Sequence, residues 1–315
     1  MYYLGIDISK HTIDCCLISD GCYYEKQFSN TEKGFQNLEQ WLVGHHATEN
    51  LHCCCEATGI YYEKLAEYLY CRYIISVENP RKIKGYAQSK LQRTKNDKQD
   101  AKLIAEYCRT NKPKHWQPPT PEQKQLQELT RYLTYLKQRR AAEQTKCHQS
   151  PDYIIKHIQE TLIHLNHQIR TVNQQLQEFY KTHPEYDTQR RQLQSITGIG
   201  EQSSATLLSA YKRHQFTNSK QFTAYFGLDP KQHQSGSSIK GKSRISKIGS
   251  AALRKNLYMP ALVAYRCNAF PQLTARLRAK GKPPKLIITA IMRKLAVIAF
   301  TLLKNGETFD KTRYQ

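Results

Sequence analysis

Tyr3-Leu-Gly-Ile-Asp-Ile-Ser9 alternates, with Leu4, Ile6 and Ile8 on one face and Asp7 on the other. A two-residue period of this kind predicts a strand with one face in a core. Asp7 is out of place there, because a carboxylate inside a strand loses hydration that an apolar residue does not need. Working outward, Thr12–Ile18 and Tyr23–Phe28 read as two more strands, with Gly21 in the turn between them. Asn30 or Thr31 can cap a helix whose apolar stripe is Phe35, Leu38, Trp41 and Leu42. Leu51–Glu56 reads as a fourth strand that ends at Ala57-Thr-Gly59. Leu65 and Leu69 then recur at helical spacing, Tyr73–Val77 is a fifth strand closed by Pro80, and a last helix runs from about Asp97 to Arg109.

Three consecutive strands, then helix, strand, helix, strand and helix, describe a mixed α/β sheet of the ribonuclease-H type over residues 1–111. Lys112–Pro121 holds four of the twelve prolines and reads as a linker. Beyond it Leu126, Leu129, Leu133 and Leu136, then Ile154, Ile158, Leu162, Leu165, Ile169, Val172 and Leu176, recur three and four apart. Two long helices broken near Ser150-Pro151 are therefore expected within 112–185, as a coiled-coil arm between copies or as a hairpin in one chain. Residues 186–315 are expected to form a separate, mainly helical domain.

The ten cysteines include the contiguous runs Cys15-Cys16 and Cys53-Cys54-Cys55, and no pair has the two-residue gap of a zinc knuckle. In strands, contiguous cysteines alternate faces, so they read as small apolar packing residues in a reducing compartment. No apolar run reads as approaching the roughly 20 residues a membrane span needs, and Met1–Lys10 does not read as a signal peptide. A cytoplasmic protein without a membrane partner is the expectation.

Forty-eight Lys and Arg against 26 Asp and Glu leave a formal charge of +22. A compact protein of that charge repels itself unless a polyanion neutralises it, and nucleic acid is the commonest such partner. Residues 1–110 carry 14 basic and 14 acidic side chains, residues 111–185 carry 11 and 7, and residues 186–315 carry 23 and 5. Between Asp229 and Glu307 there is no carboxylate at all. Ordinary solvated surface mixes its signs, so the last third is the main polyanion-binding part and the neutral first third has another task.

That other task is suggested by four acids. Asp7 lies mid-strand, Glu56 ends a strand, and Asp97 and Asp100, three apart, share one helical face. Like charges brought together are offset by divalent cations, and Mg²⁺ prefers such oxygen ligands while keeping positions for water and phosphate. Viewed alone, Asp97 or Asn96 also suits a helix cap, with Asp100 in its favourable first turn. Further on, Gly198 and Gly200 flank Ile199 before a helical run from Ser203 to Tyr211. This resembles a helix-hairpin-helix element, which presents backbone N–H groups to a DNA phosphate; a plain glycine-rich connection is the alternative. Tyr225-Phe-Gly-Leu-Asp-Pro230 then leads into Gln234-Ser-Gly236 and an irregular-looking basic loop with Lys240, Lys242, Arg244, Lys247 and, beyond it, Arg254. A serine there, Ser235, can attack phosphorus if a base or metal activates it, although composition alone favours a flexible basic loop that holds DNA.

Taken together, these motifs resemble the bacterial IS110 transposase family, which also includes pilin-gene invertases. The resemblance rests on Gly5-Ile-Asp-Ile-Ser-Lys10, Glu56-Ala-Thr-Gly-Ile-Tyr61 and Lys95-Asn-Asp-Lys-Gln-Asp-Ala101 near the start. Near the end it rests on Thr197-Gly-Ile-Gly200, Phe226-Gly-Leu-Asp-Pro230, Gln234-Ser-Gly236, Ile245-Ser-Lys-Ile-Gly249 and Leu253-Arg254. It implies a RuvC-like first domain whose Asp-Glu-Asp-Asp set, here Asp7, Glu56, Asp97 and Asp100, binds Mg²⁺. It implies a second domain whose serine nucleophile falls on Ser235 and forms a covalent serine–DNA phosphate linkage. A structured guide RNA pairing with donor and target DNA, and a dimer or tetramer in which acidic and serine domains of different protomers meet, are further implications. Two rivals use less of the chain: a junction-cutting nuclease needs only the acidic domain, and a structural nucleic-acid-binding protein needs only the basic one.

Overall fold

The computed structural model describes residues 1–91, 96–232, 234–235, 239–240 and 244–314. It divides into two compact units, Met1–Pro118 and Pro119–Gln315. In the first unit β1 (Tyr2–Ile8), β2 (Thr12–Ser19) and β3 (Cys22–Ser29) form an antiparallel meander. Then come α1 (Glu32–Gly44), β4 (Leu51–Glu56), α2 (Glu63–Tyr70), β5 (Ile74–Glu78), α3 (Pro80–Ser89) and α4 (Asp97–Asn111). The five strands make one sheet in the order β3-β2-β1-β4-β5, with β4 parallel to both β1 and β5. Parallel neighbours end together, so the C-terminal ends of β1, β4 and β5 share one edge of the sheet.

The alternation read from sequence decides the layers. Leu4, Ile6 and Ile8 enter a core with Phe35, Leu38 and Leu42 of α1 and Leu65, Ala66 and Leu69 of α2. The opposite face receives α3 and α4, through Ile83, Leu103, Ile104 and Tyr107 in one cluster and Ala101 and Ala105 in another. The cysteine runs follow the pleat as expected: Cys15, Cys53 and Cys55 fill the first face, Cys16 and Cys54 the second, and all five are buried free thiols. Thr31 caps α1 by accepting from Gly34 N. Pro80 follows the end of β5, as the sequence suggests, and also occupies the first turn of α3, behind the cap Asn79, whose side chain accepts from Arg81 N. Proline fits that position because its missing N–H has no helical partner there anyway.

The second unit opens with α5 (Pro121–Cys147) and α6 (Asp152–Thr182), which pack on each other as a helical hairpin broken at Ser150-Pro151. Leu126, Leu133, Leu136, Leu165, Ile169, Val172 and Leu176 are buried, whereas Ile154 stays exposed and Leu162 half-buried. Next come α7 (Pro184–Gln194), α8 (Glu201–Arg213), α9 (Ser219–Tyr225), β6 (Pro230–Lys231), β7 (Gln234–Ser235), β8 (Ile239–Lys240) and β9 (Arg244–Ile245). The chain closes with α10 (Ala251–Asn256), α11 (Tyr258–Arg266), α12 (Pro271–Ala279) and α13 (Pro284–Asn305). One apolar cluster runs from Leu126 to Leu303, so the hairpin shares its core with the helices that follow.

One expectation needs correction. By length and composition α13 is apolar enough to cross a membrane. It qualifies because Ile287, Ile291, Leu295, Ala296, Ile298, Ala299 and Leu302, on several sides of the helix, are all in the core. A helix enclosed by protein needs the same all-round apolarity as one enclosed by lipid.

Candidate nucleic-acid-processing site

Asp7 is the penultimate residue of β1, on the face that receives α4. The approach of that helix is set two residues earlier. A β-carbon at Gly5 would lie 2.2 Å from the Ala101 carbonyl oxygen and 2.2 Å from the Ala105 nitrogen. Only glycine opposite two alanines lets helix backbone rest on strand backbone this closely. The contact sets Asp97 and Asp100, in the first turn of α4, beside Asp7. Asn96 caps α4 by accepting from Gln99 N, so both acids also favour the helix dipole. A place in the first turn of α4 is thus a sufficient structural explanation of both acids, and it leaves them near Asp7.

Glu56 is the last residue of β4. The parallel register pairs Ile6 with Cys55, and one further step sets Glu56 next to Asp7. Thr58 N donates to the Glu56 carbonyl at 2.8 Å and turns the chain there, while the Asn30 amide ties the Ser9 and Tyr61 carbonyls together at 2.9 and 3.2 Å. The Asp7 carboxyl is pushed up to about 6, chiefly by burial, then by Asp100 and Asp97 and to a lesser degree by Asp14, against a lowering bond from Ile8 N–H. Among the described residues, no three His, Cys, Asp or Glu side chains are grouped closely enough to form a ready metal cage. What the fold supplies is a neighbourhood of carboxylate oxygens that repel one another. Oxygen donors of this kind suit a hard divalent cation.

Sequence reading missed two further carboxylates at this edge. Asp14 pairs with Asp7 across the β1–β2 hairpin, is 5% exposed, and has both oxygens held by Gln27 Nε2 at 3.1 and 3.0 Å. The signal was the tight Ser9–Thr12 turn, which fixes the register opposite Asp7. Glu78 ends β5 opposite Glu56, is buried, and is neutralised by Lys82 Nζ at 2.9 Å. Its ion pair marks it as structural.

In the second unit, Gly198 is left-handed (φ +96°), and a β-carbon there would lie 2.4 Å from the Pro260 carbonyl oxygen. Packing against α11 therefore accounts for this glycine without a ligand. Gly200 precedes α8 in extended conformation with open space around it, which leaves the helix start accessible. The stretch expected to be an irregular basic loop holds two nested antiparallel ladders. The outer one pairs Pro230 with Ile245 and Lys231 with Arg244, and the inner one pairs Gln234 with Lys240 and Ser235 with Ile239. Among the described residues, Ser235 thus belongs to the last backbone pair of the inner ladder. The side chains of Ser235 and Lys240, and all of Gly236 and Lys242, lie outside the described residues.

The neck of these ladders is pinned by a short hydrogen bond from the Ser246 hydroxyl to Asp229 Oδ1 and by Ser246 N donating to the Asp229 carbonyl at 2.8 Å. Lys247 and Arg244 are exposed. Arg254 is half-buried and its Nη1 donates to the Phe226 carbonyl at 3.1 Å, so part of its bonding capacity is spent inside the fold.

Comparison with known proteins places both halves. A transposase family of the DEDD, IS110 type matches residues 4–152, and the family described as "Transposase IS116/IS110/IS902 family" matches residues 190–278. The chain is 36% identical to a pilin gene-inverting protein of Moraxella bovis and 35% identical to one of Moraxella lacunata, in each case over 98% of both chains. A probable family 20 transposase of Pseudomonas aeruginosa is 31% identical over 48% of this chain and 44% of the relative. With both profiles in order on one chain and relatives aligned along its whole length, this protein belongs to the IS116/IS110/IS902 transposase family and has a function in DNA recombination.

Proposed function

We propose that this chain is an insertion-sequence recombinase that cuts and rejoins DNA through a covalent serine intermediate, directed to its sites by a structured guide RNA and acting as a dimer or tetramer. The observation that carries the reading is the order of the two family matches: the acidic set lies within the first and Ser235 within the second. Asp7, Glu56, Asp97 and Asp100 hold Mg²⁺, which when bound offsets charge that develops on phosphate oxygens. The Ser235 hydroxyl oxygen bonds to phosphorus as the bond from phosphorus to the 3′ oxygen breaks. The serine proton goes to solvent and the departing 3′ oxygen gains one. In the joining step the 3′ hydroxyl of the exchanged strand bonds to the same phosphorus and releases Ser235 with its proton restored. Exposed Arg244 and Lys247 contact phosphates alongside Gly200 and the α8 start.

A second reading is favoured by the full-length relatives, which are named as pilin gene inverters. Inversion uses the same residues, with both exchange sites on one DNA molecule in opposite orientation. The test of the shared chemistry is to trap protein–DNA adducts in the presence of Mg²⁺ by denaturing electrophoresis. Ser235→Ala is expected to abolish the adduct while DNA binding persists; an adduct at full yield in that variant sinks the nucleophile assignment.

A further inference from the structure

We infer that the outer face of α3 is a separate nucleic-acid backbone site, in the unit whose overall charge hides it. Residues 79–96 hold six Lys and Arg and no Asp or Glu, whereas the rest of residues 1–110 holds eight cations against fourteen carboxylates. The neutral first third is therefore an acidic body carrying one basic segment.

The described part of that segment is α3, which packs Ile83, with Tyr86 and Ala87, into the cluster shared with α4. Arg81, Lys84, Gly85 and Gln88 follow at helical spacing on the other side, and all four are exposed. Lys82 is committed to Glu78, but Arg81 and Lys84 have no ion pair among the described residues.

Three features of this face work against the helix itself. Arg81 and Lys84 lie in its first turn and a half, where the dipole disfavours cations, and the first turn contains no acid. Gly85 sits in the helix interior, where alanine is more stable. A β-carbon at Gly85 would meet nothing within 4 Å, so no neighbour inside the protein requires glycine there. Local rules broken together on one surface, without an internal gain, mark a functional surface. A phosphodiester backbone supplies the missing partner: it neutralises Arg81 and Lys84, is drawn by the same helix end, accepts a hydrogen bond from Gln88, and can approach the bare backbone at Gly85. The helix begins at the end of the sheet where β1, β4 and β5 terminate, the end that also carries Asp7.

The site requires neither Mg²⁺ nor Ser235, so it is tested without the chemistry. The full chain carrying Ser235→Ala is titrated in EDTA into a labelled DNA duplex and, separately, a labelled hairpin RNA, by fluorescence anisotropy over a series of salt concentrations. Arg81→Ala with Lys84→Ala is expected to lower the slope of log affinity against log salt by about two, one per lost phosphate contact. Gly85→Ala is expected to leave that slope unchanged but weaken binding several-fold, while raising the urea midpoint of the first unit. A slope that falls with DNA alone, or with RNA alone, identifies which backbone the face holds. Unchanged slopes with both overturn the proposal, as does a lowered urea midpoint in the Arg81/Lys84 variant, which would make these cations structural.

Discussion

Replacing Asp7 with asparagine is expected to stabilise the metal-free protein, although the same change removes a proposed metal ligand. The Asp7 carboxyl, at about 6 against an ordinary value of 3.8, is ionised at pH 7.5 in a place that prefers it neutral. The difference corresponds to about 3 kcal/mol opposing folding if it acted in full. Asp7 is only half-buried, and screening reduces the figure to about 1–2 kcal/mol. The sign is that of a raised carboxyl. The folded state holds the extra proton, so the penalty is absent below about pH 4, grows as pH rises through 6 and is complete above it. The asparagine side chain would keep the shape and the acceptor for Ile8 N–H without the charge. Urea denaturation in EDTA, followed by tryptophan fluorescence, isolates the effect, because both tryptophans, Trp41 and Trp116, lie in the first unit. At typical urea slopes the midpoint should rise by roughly 0.5–1 M at pH 7.5, and by much less at pH 4.5. His52, whose pKa burial lowers, gives a background of opposite sense that cancels in the difference between variant and parent. Millimolar Mg²⁺ should raise the midpoint of the parent more than that of Asp7→Asn. A variant less stable than the parent at pH 7.5, or an equal gain at both pH values, refutes the reasoning.

Gly5→Ala is expected to cost more than about 4 kcal/mol, because the new methyl meets backbone atoms of Ala101 and Ala105 that cannot rotate away; loss of the cooperative tryptophan transition is the readout. At the neck of the serine ladders, Asp229→Ala removes the acceptor for Ser246 and should lower the yield of trapped DNA adduct several-fold, whereas Asp229→Asn retains an acceptor oxygen and should lower it less. Equal yields from both would show that the bond is not what holds the ladders.

The sheet was legible because its signals are local. Leu4, Ile6 and Ile8, the split cysteine runs and the apolar stripe of α1 each state which way a side chain points, and burial follows from that. Helix α3 was not legible: Ile83 is its one fully buried residue and only Tyr86 and Ala87 extend its face, and Asn79-Pro80 reads equally well as the end of a strand or the start of a helix. For the candidate site, sequence supplied the four acids but not the approach of Asp97 and Asp100 to Asp7, which depends on α4 lying against Gly5 across about a hundred residues of chain. Asp14 escaped because an acid at a strand start looks like surface until register puts it opposite Asp7. The Gly198-Ile-Gly200 spacing resembles a DNA-contacting turn, and nothing in it announces the Pro260 carbonyl against which Gly198 packs, a contact between segments far apart in sequence.

The meeting of Gly5 with Ala101 and Ala105 bears on how copies of a mobile element decay. Inactivation is usually sought in the loss of a reactive group, yet here three residues with no chemistry of their own determine where the carboxylates lie. A copy could keep every acid and its serine, acquire a valine at position 5, and be inert. Sorting live copies from relics therefore calls for checking that these small side chains are still small.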